Sequence, residues 1–564
     1  MGLTSALAMA GNALEVFSNG IQVAGQNISN STTPGYVREK LILQTAGTAV
    51  QNGLVLGSGV AATSVVQQID KFLETRIYSA NADAAGAVAR QAAYQDIEVQ
   101  MGALGEGDIA SGISRFLASL STVADQPDSG PNRGFAIEQG KQLASRITRL
   151  RQQIDTSRNF ATQRVSALAS EANQLIDTVN TLNKRISQVE QGGLLGSDAG
   201  TLRSQRYQAL DRLSEIVSIQ VNEQSDGQVS IYVGSETLLD AGSKQQIEVN
   251  PLMDRGLLVS ALSLSKTGAT LPAVSGEITG ELEGRDDILG GFVDQLDQLT
   301  GQLIQGFNEL HTSGRGVKGF TDLTSAQRVK DSSADLNAAG LDVTPQHGSF
   351  LLAVKNSDTG VEQSQRIQID LDGIGADSSL EDVRAAIDAA DNVSASITSD
   401  GRLQIQAGNG YEYFVSDDSS GFLSAIGLNT FFTGSGSADI AVNSVLASNS
   451  NYLATGQGGG PSDGRNATLL AQFADQASDA LDGKSISAFY NTIVASTAQA
   501  SASEQAVAAG FSAYKNTLDG QRSQKSGVSL DEEAISMMQY QQAYQASARM
   551  ISVVDELFTV LLNL

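Results

Sequence analysis

Over residues 1–30 the apolar side chains fall at Leu3, Leu7, Ala10, Leu14, Phe17, Ile21, Ala24 and Ile28, in alternating steps of four and three. That spacing keeps one face of a helix apolar and predicts a coiled-coil seam. The C-terminal stretch carries a second stripe, through Leu530, Met537, Tyr540, Tyr544, Ser547, Ile551, Val554, Phe558 and Leu561. Gly11, Gly20 and Gly25 each cost the first helix about 1 kcal/mol relative to alanine, so it is marginal alone and needs a partner. Most such stripes pack on their own domain's core. Seams at both extreme ends, where chains usually fray, favour packing between subunits.

Between the ends, Val165, Leu168, Ala172, Leu175, Val179, Leu182, Ile186 and Val189 predict a very long helix or helical hairpin over about 135–191. Leu143, Ile147, Leu150 and Ile154 join that seam only through a four-residue shift, a stutter that locally unwinds a supercoil. Further helices are predicted at 286–311 and 465–519, together forming an elongated bundle. Strand signals occupy Ser218–Glu223 and Gln228–Val233, joined at Asp226-Gly227, then Arg366–Asp372 and Val393–Gln406, with Asp400-Gly401 as a turn. The expected fold is a multidomain α+β protein. Residues 1–45 and 520–564 form a terminal helical assembly domain. Residues 46–216, 276–330 and 465–519 form a helical bundle, 217–275 a β-rich domain, and 331–464 an outer β-rich domain ending in a Gly-rich linker.

Composition removes several functional classes. The chain has 564 residues, 36 Lys and Arg against 62 Asp and Glu, and a net charge of −26, which repels phosphate backbones and anionic lipid. Nucleic-acid binding and membrane insertion are not expected, and no apolar run approaches the ~18 residues a spanning helix needs. Cysteine is absent, which excludes thiolate metal sites and thiol nucleophiles. Tryptophan is absent too, which disfavours aromatic-walled cofactor pockets. The first basic residue is Arg38 and Glu15 interrupts the first helix, so export would proceed without a cleaved signal.

Candidate chemistry is sparse. Gly460-Pro-Ser462-Asp-Gly464 matches a nucleophile elbow, but Gly456–Gly459 cannot supply the core strand before it, and only His311 and His347 could act as base. Asp370, Asp372, Gly375 and Glu381 stand at positions 1, 3, 6 and 12 of a calcium loop, yet Ile374 at position 5 offers no side-chain oxygen and no helix precedes Asp370. Ser378 and Glu381 read better as a helix capping box. His311 closes a helical segment, where a histidine can interact with the C-terminal dipole. No catalytic, cofactor-binding or metal-binding residue is expected.

Thr33-Pro34-Gly35 predicts a type II turn that ends the first helix, with Tyr36–Leu43 extended after it. Here Asn27-Ile-Ser-Asn30-Ser-Thr-Thr33-Pro34-Gly35-Tyr36 resembles the N-terminal signature of bacterial flagellar rod, hook and hook-associated proteins. Leu530-Asp-Glu532-Glu533, followed by Gln539, Tyr540, Tyr544, Gln545 and Ala546, resembles the C-terminal signature of the same family. The likeness extends to the helical frame and weakens over 320–450.

The resemblance implies an extracellular structural subunit at the junction of hook and filament, exported unfolded through the flagellar type III channel. Its terminal helices would be disordered in the monomer and form an inner coiled-coil tube on assembly. The assembly interface would use Leu3, Leu7, Leu14, Phe17, Ile21, Asn27, Ile28, Asn30, Pro34 and Gly35 with Leu530, Met537, Tyr540, Tyr544, Ile551, Val554, Phe558 and Leu561. Implied partners are further copies of the chain, the hook subunit, a second junction protein, and a cytoplasmic export chaperone on the C-terminal helix. Alternatives are another axial protein such as the hook subunit, a serine hydrolase using Ser462, or an adhesin binding through 320–450.

Overall fold

In the computed structural model, the residues described are 2–33, 35–51, 54–102, 108–192, 197–272 and 274–562. The chain opens with α1 (Leu3–Ser29), a double hairpin of β1 (Glu39–Thr45), β2 (Thr48–Gln51), β3 (Leu54–Gly57) and β4 (Val60–Gln67), then α2 (Lys71–Gly102) and α3 (Ile109–Asp125). The long arm is α4 (Gly130–Gly192), followed by α5 (Gly200–Ile216) and a run of six strands. These are β5 (Gln220–Glu223), β6 (Val229–Val233), β7 (Glu236–Asp240), β8 (Ser243–Lys244), β9 (Ile247–Asp254) and β10 (Leu257–Leu264). α6 (Glu277–Glu283) leads through a wide helical turn, Gly284–Leu289, into α7 (Gly290–Ser313). The outer segment holds β11 (Asp322–Thr324), β12 (Gly348–Asn356), β13 (Glu362–Ile369), α8 (Leu380–Asp388), β14 (Val393–Ile397), β15 (Leu403–Ala407) and β16 (Tyr411–Ser416). α9 (Phe422–Ile426), β17 (Phe432–Thr433), β18 (Ala441–Val442), α10 (Ser444–Ser448) and α11 (Arg465–Ala471) precede the closing helices α12 (Ile486–Ser526) and α13 (Leu530–Leu562). The fold is mixed α+β with long terminal helices, as the periodicities predict.

Two compact units share this chain: 1–93, 159–285 and 501–564 make one, 94–158 and 286–500 the other. In the first, the apolar face of α4 carries Val165, Leu168, Ala172 and Val179, and α5 adds Leu210 and Leu213. Ile231, Val233, Leu238 and Leu239 of the β5-β6-β7-β8 sheet complete this core. The hairpin predicted at Asp226-Gly227 forms, with Gln220 opposite Tyr232 and Gly227 at φ +80°, a conformation that favours glycine. α6 crosses α2 at glycines: a Cβ on Gly280 would lie 2.3 Å from the Gly86 carbonyl, so only hydrogen fits.

In the second unit the first part of α4 buries Leu143, Ile147, Leu150 and Ile154. The seam's four-residue shift thus falls between Ile154 and Val165, the stretch in which α4 leaves one unit for the other at Arg158/Asn159. Phe307 of α7 sits in an aromatic cluster, its ring 5.1 Å from Phe116 of α3, 5.1 Å from Phe431 and 5.4 Å from Phe432. The outer core lies between two three-stranded sheets, β11-β15-β14 and β13-β12-β16, and is filled by Phe350, Leu352, Ile367, Leu403, Ile405 and Tyr413.

Several expectations shift. Of the two forms expected for the arm, the single very long helix is the one present. The helix predicted over 465–519 is broken between Ala471 and Ile486, where short turns intervene. The strand predicted to reach Asp372 ends at Ile369, because the loop beyond turns back through Gly373 and Gly375, both at positive φ. The capping box of α8 uses Ser379 and Asp382, one residue later than Ser378 and Glu381.

Candidate assembly interface

α1 and α13 pack against each other within one chain, running antiparallel, since Phe17 and Gly20 meet Tyr540 while Asn27 meets Glu533. The buried face of α1 is made of small residues, Ala10, Val16, Gly20, Val23 and Ala24. Gly20 is a requirement of that close approach rather than a plain cost to the helix, because a Cβ there would lie 2.9 Å from the Tyr540 ring. Gly11 and Gly25 have nothing within 4 Å.

Of the predicted seam, Leu3, Leu14, Phe17, Ile21 and Ile28 are half-buried and Leu7 is exposed. On α13, Val554 is buried, Met537, Tyr540, Ile551 and Phe558 are half-buried, and Leu530, Tyr544 and Leu561 are exposed. A second stripe that sequence reasoning missed, through Ile535, Met538, Met550, Val553, Leu557 and Val560, is also exposed. The pair therefore keeps large apolar side chains outside its own contact.

The polar end of the pair is closely specified. Asn27 is 1% exposed. Its Nδ2 donates to the Glu39 carbonyl at 2.8 Å and to Glu533 Oε2 at 3.1 Å, and its Oδ1 accepts from the Tyr36 hydroxyl at 2.9 Å and the Glu39 N–H at 3.0 Å. Those four bonds use the full capacity of an amide side chain. Arg38 Nε donates to Glu533 Oε1 at 2.7 Å and its Nη1 to Glu532 Oε2 at 2.7 Å. The Arg38 N–H adds a bond to the carbonyl of Ser526, the last residue of α12, at 3.0 Å. Burial, with the Glu39 and Glu533 carboxylates nearby, pushes the Tyr36 hydroxyl well above its ordinary range, so it stays a donor. Burial, with Asp198 adding to it, also raises Glu39.

The Thr33–Tyr36 turn delivers Tyr36 to this cluster: the Tyr36 N–H donates to the Thr33 carbonyl at 3.2 Å, and Gly35 stands at φ +70°. Pro34 lies outside the described residues. Asn30 bonds only locally, its Nδ2 to the Gln26 carbonyl at 3.0 Å. Nothing in residue order marks Glu533 as Asn27's neighbour, because the contact spans 506 positions. Behind the pair, the end of α12 is tied down by Arg522, which reaches Glu74 and Asp211 at 2.7 Å each, and by Lys525 on Asp70.

The other candidates resolve differently. Ser462 is exposed in a turn before the seven-residue α11, and the preceding glycine segment folds over Asp463, whose Oδ2 accepts from the Gln457 and Gly459 N–H groups at 2.8 Å. His311 is fully buried. Its Nδ1 lies 2.7 Å from the Asn429 carbonyl and its Nε2 accepts from the Ala454 N–H at 3.1 Å. Burial lowers its pKa to about 4, so it is neutral and cross-links backbone instead of placing a charge on the helix dipole. Glu381 pairs with Arg384 at 2.9 Å on α8. No described helix is long and apolar enough to cross a membrane.

Among known proteins, the chain with this terminal helix pair is similar to flagellar hook-associated proteins. A model of the flagellar hook-associated protein FlgK helical domain matches residues 94–324, and one of the C-terminal region of flagellar basal body rod FlgEFG proteins matches 520–564. The chain is 23% identical to flagellar hook-associated protein 1 of Escherichia coli (strain K12), over 100% of both chains. It is 22% identical to flagellar hook-associated protein 1 of Bacillus subtilis (strain 168), over 99% of this chain and 97% of the relative. A solved flagellar hook junction protein, FlgK from Burkholderia pseudomallei, aligns with TM-score 0.49 and 15% identity, covering 79% of this chain and 99% of that one.

Proposed function

We propose that this chain is a non-enzymatic structural subunit of the flagellum, standing at the junction between hook and filament. The observation that carries the reading is the Asn27–Glu533–Arg38 latch, which joins the two family signatures at one point. Similarity to hook-associated protein 1 along the whole length supports the placement. The terminal pair docks on neighbouring subunits as a preformed unit, since both helices are formed and mutually packed in one chain. The half-buried Leu3, Leu14, Ile21 and Ile28, with Ile551 and Phe558, then lose their remaining water, at ~1.5–3 kcal/mol for a full aliphatic burial. Copies of the chain, the hook subunit and a second junction protein are the partners this surface serves. The exposed stripe on α13 serves a cytoplasmic export chaperone before passage through the type III channel.

Complementation of a motility-defective strain lacking the junction gene tests this. Removal of 530–564 should abolish filament attachment, whereas Ser462→Ala should leave swimming unchanged. Full motility without the last helix, or its loss in the serine variant, would defeat the proposal.

A further inference from the structure

The calcium-type spacing of Asp370 and Asp372 lacks an oxygen ligand, but the fold brings a nitrogen to the same place. β12 begins at Gly348 directly opposite Ile369, the last residue of β13, so His347 and Asp370 leave the same end of one ladder side by side. His347 Nδ1 accepts from the Leu371 N–H at 3.3 Å and lies 3.2 Å from Asp370 Oδ1. A ring nitrogen and a carboxylate oxygen therefore face each other at the end of the ladder. Asp370 Oδ1 is itself shut off from water and has no hydrogen-bond donor. A lone pair held that way costs about 1–3 kcal/mol unless a cation meets it.

A proton would satisfy those two atoms alone. Asp372 makes the arrangement a ligand set, because one oxygen of each aspartate and a ring nitrogen of His347 all lie within 4.8 Å of one another. Bonds of 2.0–2.2 Å to a tetrahedral ion need ligand separations of roughly 3.4 Å, within reach of small side-chain rotations. Asp372 is held in place, its Oδ1 accepting from the Ile374 N–H at 2.8 Å while Asp377 Oδ1 accepts from the Gly373 N–H at 3.1 Å.

We infer that His347, Asp370 and Asp372 form a site for a divalent transition ion of the zinc type, with water completing the coordination. The imidazole selects such an ion over calcium or magnesium, which prefer oxygen alone. Nothing else in the chain rivals it for nitrogen or sulfur ligation, since cysteine is absent and both nitrogens of His311, the only other histidine, are engaged. Bound there, the ion ties the 371–377 loop to the end of the sheet.

With only two histidines, the intact chain labelled at histidine gives a direct test by NMR during zinc chloride titration. The His347 signals should shift saturably at one equivalent while those of His311 stay fixed. Calorimetry should show one site that His347→Ala removes and Asp372→Asn weakens at least tenfold, with unchanged melting to confirm folding of both exposed-site variants. Amide exchange through 373–376 should slow on zinc addition. No His347 shift at millimolar zinc, an isotherm indifferent to His347→Ala, equal binding by calcium, or full binding by Asp372→Asn would each overturn the three-ligand site.

Discussion

Replacing Asn27 with alanine should open the terminal pair while leaving the rest of the fold intact. The side chain is 1% exposed and makes four hydrogen bonds to three partners. Truncation leaves the Glu39 N–H and carbonyl, the Tyr36 hydroxyl and one oxygen of Glu533 short of a partner in a largely dry setting. Each orphaned group costs about 1–3 kcal/mol; because the losses share partners they do not add fully, and about 3 kcal/mol is the expected total. That is on the order of a hundredfold increase in the open population. Asn30, three residues on, is the internal control: its amide bonds within its own helix at the surface, so Asn30→Ala should cost under about 1 kcal/mol. Amide hydrogen exchange read residue by residue over 10–27 and 533–554 measures both values directly. If Asn27→Ala deprotects α13 no more than Asn30→Ala does, the latch does not hold the helices together.

Three further outcomes are expected. Gly20→Val should weaken the helix pair by about 1–3 kcal/mol through the Tyr540 ring, whereas Gly25→Ala, with open space around it, should strengthen α1 by up to about 1 kcal/mol; equal effects in exchange measurements would contradict this. Phe307→Ala should cost about 3–5 kcal/mol in urea unfolding of the 94–158/286–500 unit, and a loss below about 1 kcal/mol would mean that the aromatic cluster is not its core. His311 titrates at about 4 when folded against about 6.5 when unfolded, so its contribution is complete above pH 6.5 and is lost as pH falls towards 4. Wild type should therefore lose about 3 kcal/mol more than His311→Phe between pH 7 and 4, and parallel pH profiles would refute the buried neutral ring.

What could be read without coordinates was whatever repeats locally. The 3.6-residue period marked α4 because Val165, Leu168, Ala172 and Val179 meet one continuous core, and Asp-Gly steps marked hairpins because Gly227 and Gly401 must adopt positive φ. Long-range pairing left no such trace. Gly20 looks like a weak point of a helix until Tyr540 is placed over it, and Asn27 looks like any polar residue until Glu39 and Glu533 surround it. The apolar stripes were visible, but not which part of each would be spent on the other end of the same chain. His347 lies far in sequence from Asp370, and only the strand register makes them neighbours.

The latch also has a consequence for timing. Asn27 and Glu533 are separated by 506 positions, and closing so long a loop in a disordered chain would sacrifice several kcal/mol of chain entropy, about (3/2)RT ln n beyond a constant. The bonds at the junction cannot meet that loss until the interior has folded and brought its ends together. A chain emerging end first from a narrow passage is thus unable to fasten its terminal helices early, whichever end leads. The buried amide acts as a coincidence detector: it is satisfied only when the start of the chain, its far end and a folded middle are present at once, so a truncated or misfolded copy would present an open pair that fits no neighbour.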